Sequence, residues 1–205
     1  MKNYTILHLH TDLSTATTNI DSVTKSEDYI KKASELDMKA IAFTEHGNIL
    51  NWAKKKELCE KYGLKYIHGI EVYLTETLDK KVRDNYHCCL YAKNYEGVKE
   101  LNKLISKSFD RMDNHFYYTP RITLNELEQT SNNIIVTSAC LGGIFGKADK
   151  YIQDRYLKFF IKNKDRCYLE IQHHLDEKQI KLNKKLLKLA KENDLNLTVG
   201  TDTHA

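Results

Sequence analysis

The sequence holds one proline, Pro120, in 205 residues, and no Pro-rich or Gly/Ser-rich stretch that reads as a linker. That length suits one domain with a sizeable core and is cramped for two. No apolar run approaches the roughly 20 residues of a membrane span. Residues 1–5 lead straight into a strand-like stretch, without the apolar core of a signal peptide. The five cysteines are odd in number, irregularly spaced and without a C-x-x-C pair. That excludes a disulfide framework and a zinc ribbon, and leaves reduced thiols that mostly act as small buried hydrophobes. No G-x-G-x-x-G or Walker pattern is present, so a nucleotide-binding open sheet loses its support. The formal net charge is +4, too small to argue for a polyanion or a membrane surface. A cytoplasmic protein without a membrane partner is the expectation.

What is present alternates. Apolar residues are 41% and charged residues 29%, the balance of a globular chain rather than a disordered one. Short apolar, branched or aromatic runs predict strands at residues 4–9, 40–43, 65–67, 71–74, 87–91, 133–136, 167–171 and 197–199. Helical periodicity predicts helices at 26–36, 48–62, 95–109, 124–129, 151–162 and 176–192. Ser26 is a candidate N-cap for the first, and Gly63 suits the end of the second. Strand–helix alternation implies an α/β fold with a mostly parallel sheet, and about seven units in 200 residues fit a closed barrel. A helix is expected after the last strand, so the 205 residues are expected to be an excerpt of a longer polypeptide.

The chemistry-bearing residues sit at strand ends. His8 and His10 are two apart on a strand and so face one way; Asp202 and His204 repeat that spacing at the far end of the chain. His46 follows the strand at 40–43, with Gly47 permitting a sharp turn. Glu45 is a ligand, an acid/base group or, the favoured reading, a group that orients a ligand. Glu71 lies in an apolar stretch where an unpaired carboxylate is costly, so it is either a bridging metal ligand or half of a buried ion pair. His87 is a ligand or a core histidine, and Cys140 a soft ligand or a structural thiol. His68 can be buried without binding metal, His115 reads as exposed in a polar loop, and one of His173 and His174 can face the site. Arg121 is a candidate phosphate holder, and the basic helix at 178–191 a solvated face. Mixed His/Asp/Glu donors suit Zn, Mn or Fe better than Mg or Ca. Two or three such ions together point to metal-assisted phosphoester hydrolysis.

The stretches His8-Leu9-His10-Thr11-Asp12-Leu13-Ser14, Phe43-Thr44-Glu45-His46-Gly47-Asn48 and Gly69-Ile70-Glu71-Val72-Tyr73 resemble the opening motifs of the PHP (polymerase and histidinol phosphatase) superfamily. Residues 87–101, Tyr117-Tyr118-Thr119-Pro120-Arg121, residues 137–143 and Tyr168-Leu169-Glu170-Ile171-Gln172 narrow the resemblance. They are similar to the PHP domain at the N-terminus of C-family polymerases, the DNA polymerase III alpha subunits of bacteria and phages. The resemblance covers essentially the whole chain. It implies a distorted (β/α)7 barrel of the PHP type, with two or three divalent ions at its mouth. The implied ligands are His8, His10, His46, Glu71, His87, Cys140, Asp202 and His204. It also implies a 3′→5′ proofreading exonuclease acting on single-stranded DNA or a primer 3′ end, joined to the rest of a polymerase and other replisome subunits. The alternatives are a free-standing phosphoesterase of the histidinol-phosphatase kind and a non-catalytic module of a polymerase. Two departures stand out. The Asp-Gly that often follows H-x-H in the family is missing, which implies either one metal fewer or Asp12 or Asp21 as a substitute. The usual Asp of T-D-H-G is Glu45.

Overall fold

The computed structural model describes residues 4–14, 21–79, 82–83 and 85–205. Of the segment that departs from the Asp-Gly pattern, residues 15–20 lie outside that set. The strands are β1 (Ala40–Phe43), β2 (Lys65–Thr75), β3 (Tyr86–Ala92), β4 (Phe116–Tyr117), β5 (Thr119–Thr123), β6 (Ile134–Thr137), β7 (Cys167–Gln172) and β8 (Asn196–Gly200). The helices are α1 (Ser26–Glu35), α2 (Trp52–Lys61), α3 (Tyr95–Ser108), α4 (Leu124–Glu128), α5 (Ile144–Lys147), α6 (Lys150–Lys162) and α7 (Glu177–Asn193).

The strands form one curled sheet. β2 lies parallel to β1 and β5, and β7 lies parallel to β6 and β8. β3 runs antiparallel to both β2 and β6, the main exception in a sheet that is otherwise mostly parallel, as expected. A parallel crossover needs a helix-sized connection, and no helix lies among the described residues between Thr75 and Tyr86. The segment at 4–9 forms only isolated parallel bridges, Ile6 to Ile41 and Leu9 to Thr203. Those bridges nevertheless join the two edges of the sheet. His10 N–H donates to the Thr203 carbonyl at 3.0 Å and Thr44 N–H to the Leu9 carbonyl at 2.9 Å. Seven staves result, from residues 4–9 through β1, β2, β3, β6, β7 and β8, in a distorted α/β barrel.

Two predicted strands, 65–67 and 71–74, are one continuous β2. Gly69 is not a turn between them. A Cβ there would sit 2.8 Å from the Tyr91 ring and 3.1 Å from the Phe43 carbonyl, so the glycine lets neighbouring staves close up. The second helix starts at Trp52 rather than at 48 because Asn48 serves the loop: its amide donates to the His46 carbonyl and its Oδ1 accepts from Leu50 N–H. Ser26 is the first residue of α1 and Lys25 its N-cap. The β4–β5 hairpin and α5 were not predicted. The larger core packs β2, β3, β6 and β7 against α3, α6 and α7 through Leu90, Leu101, Val136, Phe160, Leu169 and Leu186. A smaller core sets α1 and α2 against β1 and the first stave through Leu9, Ile30, Ile41 and Leu58. None of the described helices is long and apolar enough to cross a membrane.

Candidate metal centre

The stave ends converge at one mouth. His8 and His10 end the first stave, His46 follows β1, and Glu71 sits in β2. His87 opens the reversed β3, Cys140 follows β6, and Asp202 and His204 follow β8. The reversal of β3 is what brings His87, its second residue, to the same end as the last residues of its neighbours.

Glu71 lies at the centre and is fully buried. Its Oε1 is 3.3 Å from His8 Nε2 and 3.0 Å from His87 Nδ1. Its Oε2 is 2.6 Å from His46 Nδ1 and 3.7 Å from His10 Nε2. Burial pushes the Glu71 carboxyl up, but His87, His46 and His8 outweigh it and hold the group well below the usual carboxylate range. Asp202 Oδ1 is 3.2 Å from His8 Nε2 and 3.3 Å from His10 Nε2. Cys140 Sγ lies 3.5 Å from His87 Nδ1 and 3.9 Å from Glu71 Oε1. Burial and the Glu71 charge raise its thiol pKa well above the ordinary value. His204 Nε2 lies 3.5 Å from His46 Nε2. Asp21 Oδ2 sits against both, at 2.6 Å from His46 and 3.1 Å from His204. Of the two acidic substitutes considered from the sequence, Asp21 is thus the one seen against these imidazoles.

The ring nitrogens pointing away from the mouth are anchored. His8 Nδ1 contacts Glu170 Oε1 at 2.6 Å. Glu170 is itself held by Thr137 Oγ1 and Gln172 Nε2. A Cβ at Gly200 would fall 2.0 Å from that Glu170 oxygen, so glycine is required there. His10 Nδ1 contacts Ser14 Oγ at 2.9 Å. Ser14 Oγ donates to Glu45 Oε2 at 2.5 Å, so Ser14 is left to accept from His10 Nδ1–H. Both histidines are thereby fixed with Nδ1 protonated and Nε2 turned inward, where a bound cation would displace any proton it carries. Glu45 also accepts from Thr11 N–H and Oγ1 and from Lys55 Nζ. Lys55 is 2% exposed. Burial raises the Glu45 carboxyl, yet Lys55, Ser14 and Thr11 hold it below its ordinary value. Burial lowers the Lys55 amine.

The inward-facing atoms have no such anchor and crowd against one another instead. His8 Nε2, His10 Nε2, His46 Nδ1, Glu71 Oε2 and Asp202 Oδ1 are buried without a hydrogen bond, an arrangement a protein interior rarely tolerates. Their groupings have metal-ligand spacing. His8, His10 and Glu71 form one triad, His46, Glu71 and His87 a second, and His10, His46 and His204 a third, each with donor atoms within 4.8 Å of one another. Nitrogen and carboxylate donors in such triads fit borderline divalent ions.

Other sequence candidates lie elsewhere. His115 is buried, not exposed, because Asp113 and Glu126 bond its two ring nitrogens. Arg121 is buried and donates to the carbonyls of His115, Val82 and Asn114, so it has no free face for phosphate. His173 and His174 are exposed, and His174 Nε2 contacts the Thr201 carbonyl. Sequence reading missed Lys55 as a partner of the centre and quoted Ser14 and Glu170 only as parts of motifs. The i, i+4 spacing from His10 to Ser14 was the available signal.

Comparison with known proteins shows the family and the fold. The family model described as "PHP domain" matches residues 7–174. The DNA polymerase III subunit alpha of Borreliella burgdorferi is 37% identical over 97% of this chain, and that of Campylobacter jejuni 32% identical over all of it. The chain spans 18% of the length of each. Two solved structures share the fold. One is a Bifidobacterium adolescentis protein provisionally described as a metal-dependent phosphoesterase, with TM-score 0.62 and 15% identity over 98% of this chain and 87% of that one. The other is an amidohydrolase from Chromobacterium violaceum, with TM-score 0.64 and 14% identity over the same shares. The chain belongs to the PHP domain family.

Proposed function

We propose that this chain is the N-terminal PHP domain of a DNA polymerase III alpha subunit, and that its barrel mouth hydrolyses phosphodiesters with two or three divalent ions (Zn, Mn or Fe). The observation that carries the reading is the meeting of five buried donor atoms, from His8, His10, His46, Glu71 and Asp202, that make no hydrogen bond and crowd against one another. Orphaned polar atoms in one place are costly to a fold, and a shared cation is what repays them. His87, Cys140 and His204 complete the ligand set, with Asp21 beside His46 and His204. Ions of this kind activate water and neutralise phosphoester oxygens.

The chain's own part is to hold the donors in place. Glu170 fixes the His8 ring, and the Lys55–Glu45–Ser14 relay fixes the His10 ring. The open side of the mouth is formed by His87, His204 and Asp21, whose side chains are 24%, 27% and 41% exposed. A strand end enters there, while Glu71 and the Nε2 atoms stay shielded behind. Similarity to replicative polymerase subunits supports DNA as the proposed substrate, and 3′→5′ polarity suits a proofreading role in the cytoplasm beside the rest of the polymerase and its replisome partners.

The test is a time course on 3′-labelled and 5′-labelled single-stranded DNA with Mn2+ or Zn2+, run beside Asp202→Ala. Stepwise, metal-dependent shortening from the 3′ end, abolished in the variant, is expected. No cleavage by folded, metal-loaded protein would overturn the nuclease reading.

A further inference from the structure

The opposite end of the barrel is hollow. The proposed metal centre gathers the late ends of the parallel staves. A cavity of about 690 Å3 is lined instead by early residues of β2 and β7, by Ile135 and Thr137 of β6, by Thr198 of β8 and by the last residues of the reversed β3. Leu7, Ile67 and Ile135 give it apolar surface. Trp52 from α2, Tyr66 from β2, Tyr91 from β3, Tyr95 from α3 and Tyr168 from β7 add five aromatic rings, of which Tyr91 is held by its hydroxyl on the Leu7 carbonyl. Its volume falls within the roughly 300–1,000 Å3 of small-ligand sites, and mostly apolar walls with a few polar groups are what such sites present.

Two features say what would enter. The first is charge: Lys56, Lys65 and Lys93 line the cavity and are exposed. Lys56 is paired with Glu60, whereas Lys65 and Lys93 have no ion-pair partner among the described residues. No aspartate or glutamate lines the cavity. The second is the state of the polar groups within. His68 is bonded through Nδ1 to Tyr66 and through Nε2 to Asn102, and Thr137 Oγ1 is committed to Glu170. The interior therefore offers rings and aliphatic surface more than hydrogen bonds, and the lysines offer fixed positive charge. A flat ring system carrying an anionic group matches both, because aromatic side chains stack on any base and lysine binds phosphate as a point charge.

We propose that this cavity is a second site, separate from the metal centre, that binds a nucleoside phosphate with its base among Trp52, Tyr66, Tyr95 and Tyr168 and its phosphate toward Lys65 and Lys93. The nucleoside phosphate is either a free nucleotide or one unit of a single strand.

Trp52 is the only tryptophan in the sequence and lines this cavity, so intrinsic tryptophan fluorescence reads the site directly. The 205-residue protein is titrated with dAMP, deoxyadenosine, inorganic phosphate and the oligonucleotide d(A)6, in the presence of chelator. Saturable quenching by dAMP is expected, weaker by about tenfold in Lys65→Glu/Lys93→Glu and for deoxyadenosine. A tighter response to d(A)6 than to dAMP assigns the source to a strand, and an equal or weaker one to free nucleotide. The response persists in Asp202→Ala, so a failed nuclease assay leaves this result standing. No saturable change with either dAMP or d(A)6 would overturn the proposal. So would a dAMP response equalled by deoxyadenosine or unchanged in the double variant.

Discussion

His10 and His115 are both buried imidazoles, and they are buried in opposite ways. His115 has both ring nitrogens bonded, to Asp113 and to Glu126; His68 is likewise satisfied on both sides by Tyr66 and Asn102. His10 is anchored by Ser14 through one nitrogen, and the other is left buried without a hydrogen bond among similar atoms of His8, His46, Glu71 and Asp202. A saturated histidine is a structural cross-link. An imidazole anchored on one side and vacant on the other is poised to give its lone pair to something else. Burial, shared by both kinds, does not separate them.

The largest effect that sharpens this contrast lies behind His10. Lys55→Met leaves Glu45 charged and buried without its main partner, which costs about 3–5 kcal/mol of folding stability by denaturant unfolding. Next is Glu71→Ala, which removes the carboxylate shared by two of the triads. Divalent-ion affinity should fall by more than about 100-fold in titration calorimetry, with the thermal stabilisation by metal, about 2.7 kcal/mol at 100 times the Kd, lost with it. His115→Ala should do the reverse. It costs about 1–3 kcal/mol of stability by stranding buried partners and leaves metal affinity unchanged; a loss of metal uptake would erase the distinction drawn here.

The smallest effect is a pH dependence. Burial opposes ionisation of Glu126, but hydrogen bonds from Lys107, Thr123 and His115 hold its carboxyl down to about 2, from an ordinary 4.5. A carboxyl whose folded pKa is depressed contributes stability that is present above its unfolded pKa and lost as pH falls through the folded one. That contribution is present above pH 4.5 and fades toward pH 2. Glu126→Gln should lower stability near neutrality by about 1 kcal/mol, allowing for solvent screening at this partly exposed site. It should also flatten the acid limb of the stability profile between those pH values.

Much of this was legible in the sequence, for physical reasons. The period-2 spacing of His8 and His10, and of Asp202 and His204, marks side chains on one face, and the structure brings all eight named residues together. Alternating strand and helix patterns gave the barrel. Other features were illegible because they depend on contacts distant along the chain. His115 looked like a loop residue until Glu126, eleven positions on, closed over it. Residues 68–70 looked like a break between two strands until Tyr91 and the Phe43 carbonyl were seen to need the missing side chain of Gly69. Arg121 looked like an anion binder until three carbonyls were found to occupy its guanidinium. The reversal of β3 followed from a connection lacking a helix, which strand propensity does not report.

The most direct test of the central claim is equilibrium metal binding to the metal-stripped protein, with bound metal per chain measured alongside melting temperature for wild type, Glu71→Ala and His115→Ala. Two or three Mn2+ or Zn2+ ions per wild-type chain with a raised melting temperature, lost in Glu71→Ala and retained in His115→Ala, are predicted. A folded wild-type protein that takes up no ion, or a Glu71→Ala variant that binds as wild type does, would contradict it.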